Sequence, residues 1–254
     1  WLYYSDRLLE FPLGVLGIAI ATVILPTLSH QHARASTEQF SQTLNWALRL
    51  VTLITIPACV GLFIMAAPIL SSLFEYGKFT ASDTYMSSLS LMAYMLGLPA
   101  LIAIKILAPG YYARQDTRTP VRIGIIAMVC NMVMNIAFVV PLVMLDYEAP
   151  HIGLALATSL SAYINAMLLY SGLRKTNIFS PESGWLAWIF RIIIATTAMA
   201  AIVIWLNPDS SQWSQWPLIE RLSNLAMIII SAALAYFIML WLQGIRPDQL
   251  RKTS

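Results

Sequence analysis

Asp6, Arg7 and Glu10 set two carboxylates and a guanidinium on the first turns of an apolar run that continues to about residue 29. Charge at the mouth or interior of a membrane helix persists only where something polar meets it. Two chemistries fit the cluster. The planar guanidinium fork could grip a phosphate bidentately, or the charges could form an interfacial ion pair that marks where the helix begins. On a helix, Arg7, Glu10, Gly14, Gly17 and Ala21 recur at spacings of three and four and line up as one stripe. Its charged end suits a cavity, and its small-residue end suits the close approach of another helix. Lys105 lies about one turn from the C-terminal end of the third apolar run. It could snorkel to the headgroups or add a second positive charge to a cavity. Asn131 and Asn135 share a face of the fourth run, and Thr158, Ser161 and Asn165 share a face of the fifth. Helix-to-helix hydrogen bonds account for such residues, and so does a monovalent cation held by amide and hydroxyl oxygens.

The elements that must position these groups are membrane helices. Hydrophobic residues make up 59% of the chain, charged residues 11%, and the mean hydropathy is +0.71, a composition that belongs in a bilayer. Apolar runs long enough to cross it fall at about residues 8–29, 45–67, 84–108, 121–145, 152–172, 186–206 and 218–243. They are continuously apolar rather than alternating, which predicts helices and excludes a barrel. The fold class is therefore all-α and polytopic, with about seven transmembrane helices. Cys59 and Cys130 both fall inside runs and suggest neither a disulfide nor a metal site. His30, His32 and His151 sit in or beside loops, and none shares a face with a carboxylate at metal-ligand spacing. With no glycine-rich phosphate loop and no catalytic constellation, the chain reads as a non-enzyme without a resident cofactor. The net charge of +3 arises from membrane topology and implies no nucleic-acid partner.

Loop charges give the orientation. Arg114, Arg118 and Arg122 follow the third run, Arg174 and Lys175 the fifth, and Arg246, Arg251 and Lys252 the seventh; these belong inside. Asp146 and Glu148 follow the fourth run without a base, and Asp209 follows the sixth with only Arg221 beside Glu220; these belong outside. The chain then starts outside and ends inside, with residues 30–43 as an inner connection. Since it opens on Trp1 with no signal sequence, further spans are expected upstream. Residues 68–83 are amphipathic and too short to cross, which predicts a segment along the outer surface. Pro26, Pro57 and Pro99 each remove a backbone donor from a span or its end, at points where a transporter could bend. Trp185, Trp188 and Trp241 near inner ends, and Trp205, Trp213 and Trp216 near outer ends, read as interfacial anchors.

Four stretches together carry a resemblance. They are Tyr3-Tyr4-Ser5-Asp6-Arg7-Leu8-Leu9-Glu10-Phe11-Pro12-Leu13-Gly14-Val15-Leu16-Gly17, then Leu25-Pro26-Thr27-Leu28-Ser29, then Phe74-Glu75-Tyr76-Gly77-Lys78-Phe79-Thr80, and finally the stretch from Lys105 through Ala108-Pro109-Gly110-Tyr111-Tyr112-Ala113-Arg114-Gln115-Asp116 to Val121. In that order they resemble the MurJ (MviN) family of lipid II flippases, strongly over the first half of the chain and mainly by hydropathy over the last two runs. The resemblance implies the C-terminal half, helices eight to fourteen, of a fourteen-helix, two-lobe member of the multidrug/oligosaccharidyl-lipid/polysaccharide exporter superfamily. Residues 1–173 would form the core of the C-terminal lobe, and residues 174–254 two additional helices with a lipid-tail groove. Arg7 corresponds to a cavity arginine facing the substrate's diphosphate, Glu10 to its acidic neighbour, with Asp6 beside them, and Lys105 to a lysine of the same lobe. The implied activity is flipping of undecaprenyl-diphosphate-MurNAc-pentapeptide-GlcNAc (lipid II) across the bacterial cytoplasmic membrane by alternating access. Its partners would be lipid II, membrane lipids, an N-terminal lobe and other cell-wall synthesis proteins. Monovalent-cation coupling at Asn131, Asn135 and Thr158 is a weaker implication. Export of another polyprenyl-linked glycan or a drug, and a non-transporting scaffold for cell-wall enzymes, are the competing readings.

Overall fold

The computed structural model describes residues 1–246, apart from the side chains of Ile18, Ala21, Ser210 and Ser211; Arg251 and Lys252 of the basic tail lie outside the described residues. The chain runs as α1 (Leu2–Ala33), α2 (Thr37–Ile64), α3 (Ala66–Phe74), α4 (Ala81–Tyr112), α5 (Arg118–Met144), α6 (Ile152–Lys175), α7 (Trp185–Leu206), α8 (Ser210–Gln215) and α9 (Leu218–Leu242). Six of these helices are long and apolar enough to cross a bilayer, and α1, bent by 40° between Leu2–Gly17 and Thr22–Ala33, is the seventh. The chain is a multi-pass membrane protein. The α1 bend adjoins Pro26, whose ring crowds the carbonyl four residues back and leaves it without a donor.

Burying apolar surface drives no association between helices already in lipid, so close packing and hydrogen bonds must hold them together. The α6 sequence supplies the means. Ala155, Ser159, Ala162, Ala166, Leu169 and Leu173 alternate at spacings of four and three, and all are buried. This mostly small-residue seam lets α6 approach α4 so closely that a Cβ at Gly97 would lie 2.6 Å from the Ser159 Cα. There the Ser159 hydroxyl donates to the Ala93 carbonyl at 2.7 Å. Further along, the Tyr111 hydroxyl donates to the Leu169 carbonyl at 2.7 Å, in the space that the missing side chain of Gly172 leaves. α4 is the hub, packing on α1, α2, α3 and α6. By contrast α5 buries only Pro120, Ile123 and Ala127 and leans chiefly on α6.

Two expectations need correction. Residues 30–43 are almost wholly helical, with only residues 34–36 linking α1 to α2; the Gln31 and Thr43 side chains hydrogen-bond to each other across that link at 2.9 Å. The outer segment is not laid along a surface either, because Ala66, Pro68, Ile69, Leu70, Ser71 and Ser72 of α3 are buried against α4, α8 and α9. Its amphipathic pattern marks a helix tucked under its neighbours.

Gly97→Ala is expected to destabilise the folded protein by about 1–3 kcal/mol, because the added methyl meets backbone rather than a flexible side chain. Gly124→Ala, with no atom within 4 Å of the new Cβ, is expected to be neutral or slightly stabilising. Unfolding midpoints of the two variants in detergent check the pair.

Candidate functional site

The first turns of α1 are fixed by bonds to α4 and to the 75–80 turn. The Ser5 hydroxyl donates to the Ser87 carbonyl at 2.7 Å, and the Trp1 indole donates to Asp83 at 2.7 Å. Tyr4 packs between Phe74 and Phe79, with ring centroids 4.9 and 4.8 Å away. Gly77, at φ +62°, gives the turn its left-handed step. Thr80 and Asp83 then cap α4 reciprocally. The Phe74–Thr80 motif is therefore the seat on which the charged end of α1 rests.

On that seat Arg7 and Glu10 pair at 2.7 Å while remaining 55% and 52% exposed. The Arg7 guanidinium carbon lies 4.9 Å from the centre of the Tyr3 ring, so the cation is steered by one aromatic face and one carboxylate. A Cβ at Gly14 would meet nothing within 4 Å. At Gly14 the stripe is therefore not covered by another of the described helices of this chain. Gly17, further along, is closed by the stem of Lys105, whose Cγ would lie 3.2 Å from an added Cβ. Arg7 and Gly17 are separated by about 15 Å of helix rise. Lys105, itself exposed, stands beside Gly17 of α1 and is not part of the Arg7 cluster. Asp6 is exposed on the same turns, and Arg7 pairs with Glu10 rather than with it.

The third polar group is only partly assembled. Asn135 donates to Asn131 at 3.1 Å, and Asn131 donates to the Ser161 hydroxyl at 3.4 Å. The Thr158 hydroxyl instead turns back to the Leu154 carbonyl at 2.9 Å. The Asn135 Oδ1 is buried without a hydrogen-bond partner, which is the one feature of this group that would welcome a cation. Among the described residues no three His, Cys, Asp or Glu side chains gather as a metal site. In the α4–α5 loop, the Thr119 amide donates to Asp116 at 3.0 Å and holds its carboxyl below the usual range. The ionised form caps α5 at neutral pH and loses that role as pH falls through the carboxylate range.

An apolar pocket of about 340 Å³ lies between α2, α3, α7 and α9. Leu53, Gly61, Met65, Met199, Ile228 and Tyr236 are among the residues lining it. Arg49, Asn45 and Arg221, all of which tie α7 to α9 and their linkers to the rest, carried no functional reading in the sequence. The visible signal was arginine within or beside a span, but the partners are more than 100 residues away or at the end of the preceding helix.

A family profile described as Lipid II flippase MurJ matches residues 1–240. The chain belongs to the lipid II flippase MurJ family. It is 44% identical over its full length to a probable lipid II flippase MurJ of Vibrio cholerae and 38% identical, also over its full length, to the lipid II flippase MurJ of Burkholderia cenocepacia. The chain covers 47% of the former and 48% of the latter, and so spans about half the length of the curated relatives it matches. A solved structure of lipid II flippase MurJ in an inward closed conformation superposes on 96% of this chain with a TM-score of 0.75 at 27% identity, the chain covering 47% of that structure. The all-helical fold is that of half of this family's architecture.

If the Arg7–Glu10 pair is there for binding rather than for holding α1, Glu10→Gln will leave the unfolding midpoint of the protein unchanged. A lowered midpoint would instead make the pair part of the packing.

Proposed function

We propose that these helices form one lobe of a lipid II flippase of the bacterial cytoplasmic membrane, a transporter that makes and breaks no covalent bond. The observation that carries the reading is the exposed Arg7–Glu10 pair on a stripe with nothing above it, in a chain of this family. A guanidinium and a carboxylate facing hydrocarbon would be costly, so the stripe must look onto water, a polar ligand or another polar surface. Because the relatives are about twice as long, the whole activity is assigned to a larger unit. Residues 1–173 supply its core lobe, residues 174–254 two additional helices, and a second lobe faces α1.

The substrate then divides as its chemistry does. The diphosphate of undecaprenyl-diphosphate-MurNAc-pentapeptide-GlcNAc engages Arg7, and Glu10 holds the guanidinium in place until phosphate oxygens displace it. Lys105 offers the next cationic station. The isoprenoid tail stays on the lipid side, with a segment in the apolar pocket of α2, α7 and α9, whose volume suits only part of so long a chain. The Trp1 end of the helices lies outside and the C-terminal tail inside, and the head crosses as the lobes alternate between two orientations. Asn131, Asn135 and Thr158 are the place for a coupling monovalent cation. The unpartnered Asn135 Oδ1 supports this, while the neutral donors there favour weak, monovalent binding.

Arg7→Ala in the full-length protein, made at normal membrane levels, is expected to abolish support of growth, with Arg7→Lys retaining part of it because the charge survives without the bidentate fork. Full complementation by Arg7→Ala would overturn the cavity role and favour a non-transporting scaffold.

A further inference from the structure

Arg221, in the first turn of α9, is only 6% exposed. Its ligands are backbone. The Nε donates to the Trp216 carbonyl at 2.8 Å, and one Nη donates to the Ser214 carbonyl at 2.8 Å. The other donates to the Ser71 carbonyl at 2.8 Å and the Ser71 hydroxyl at 3.3 Å. Ser71 sits in the last turns of α3, its carbonyl also accepting the Glu75 amide at 3.4 Å, and Ser214 and Trp216 lie at the end of α8, where carbonyls run short of intrahelical donors and a cation is favoured. One side chain of α9 therefore caps two other helices at once. The Tyr76 ring, 5.6 Å away, closes the site.

The opposite end of the same helix pair is tied as firmly. Asn45, Arg49 and Thr52 form one stripe on α2. Asn45 is fully buried; its Oδ1 accepts from the Trp185 indole at 3.0 Å and the Glu182 amide at 3.2 Å, and its amide donates to the Ser180 carbonyl at 2.8 Å. Arg49 donates to the Ser183 carbonyl at 2.9 Å and pairs with Glu182 at 3.5 Å. Thr52 accepts from the Trp188 indole at 3.1 Å. Between the two ends, the Tyr236 hydroxyl of α9 donates to the Leu53 carbonyl of α2 at 2.6 Å. The apolar pocket lies within this frame. Sliding α7 or α9 past α2 would strip these groups of partners where water is scarce, a cost the open side of α1 does not carry.

We propose that Arg221 and the Asn45–Arg49–Thr52 stripe are positioning residues that bolt α7 and α9 to α2 and α3. The apolar groove then keeps one shape through the transport cycle while the head-group path alone alternates. The assignment of the groove to the isoprenoid tail rests on the function proposed above; the bolting does not.

The test uses the full-length protein in lipid vesicles, with spin labels at Leu73 of α3 and Leu222 of α9, both exposed. Pulsed electron resonance should give one narrow distance, identical with and without lipid II. A second distance population on adding lipid II to the unaltered clamp would overturn the proposal. Arg221→Met should broaden the distribution and lower labelling of the groove by a photoreactive isoprenoid several-fold, and Arg221→Lys should restore part of both. A merely stabilising arginine would lower the melting midpoint with neither readout changed, which would also overturn it. If Arg221→Met does not fold, Asn45→Ala, with labels at Leu186 and Arg34, reports on the other end. Failure of the isoprenoid to label the groove of unaltered protein would remove the tail assignment and leave the bolting to be judged on the distances.

Discussion

A charged side chain among membrane helices persists only if polar atoms meet it, and this chain satisfies that constraint in two opposite ways. Arg221 is enclosed, its guanidinium answered by carbonyls at the ends of α3 and α8. Arg49 is half-enclosed by Glu182, Ser183 and the Trp185 ring. Arg7 stays half exposed beside Glu10, and Lys105 is exposed with its stem against Gly17 of α1. Arg221 and Arg49 meet their partners inside the chain, although the Arg49 Nε is buried without one. The exposed Arg7 and Lys105 keep charge at the surface of the chain, and the phosphate oxygens of the substrate are the partner proposed for them.

The open side exists because the other side of α1 is so firmly held. Ser5, Trp1 and Tyr4 attach the helix to α4 and to the Phe74–Phe79 seat. α4 in turn is gripped by α6 through a seam of small residues that brings Gly97 onto Ser159. Backbone contact of this kind leaves little room for adjustment, so displacement of α1 would be carried into α4 and α6 rather than absorbed locally. The seven-residue stretch from Phe74 to Thr80 serves the site without touching a ligand. It sets where Arg7 stands.

Much of this was legible in the sequence because it is local. Continuous apolar runs mark the spans, spacings of three and four place Arg7, Glu10, Gly14 and Gly17 on one stripe, and the Asn131–Asn135 pair follows from a spacing of four. What depends on distant partners was not legible. Nothing near Arg221 in the sequence points to Ser71, 150 residues earlier, and nothing beside Asn45 points to Trp185. Trp213 read as an anchor and is buried, donating to Asn207 at 3.1 Å; Trp185 and Trp188 spend their indole donors on α2. Trp205 and Trp241, by contrast, are 82% and 67% exposed, as an interfacial anchor has to be. Tryptophan near a span end carries the same composition signal in both roles, and packing alone separates them. The same holds for α3, whose amphipathic pattern fits a membrane surface and a buried shelf equally well.

The proposed cavity requires that the stripe beyond Arg7 face water. Gly14→Cys in the full-length protein, in intact cells, can be challenged with a membrane-impermeant thiol reagent, with Ile136→Cys on the open apolar face of α5 as the lipid-facing reference. Labelling at Gly14→Cys that lipid II blocks, with none at Ile136→Cys, is the expected result. A Gly14→Cys that only a lipid-soluble reagent reaches would mean that α1 faces hydrocarbon, and that Arg7 and Glu10 bind nothing in a cavity.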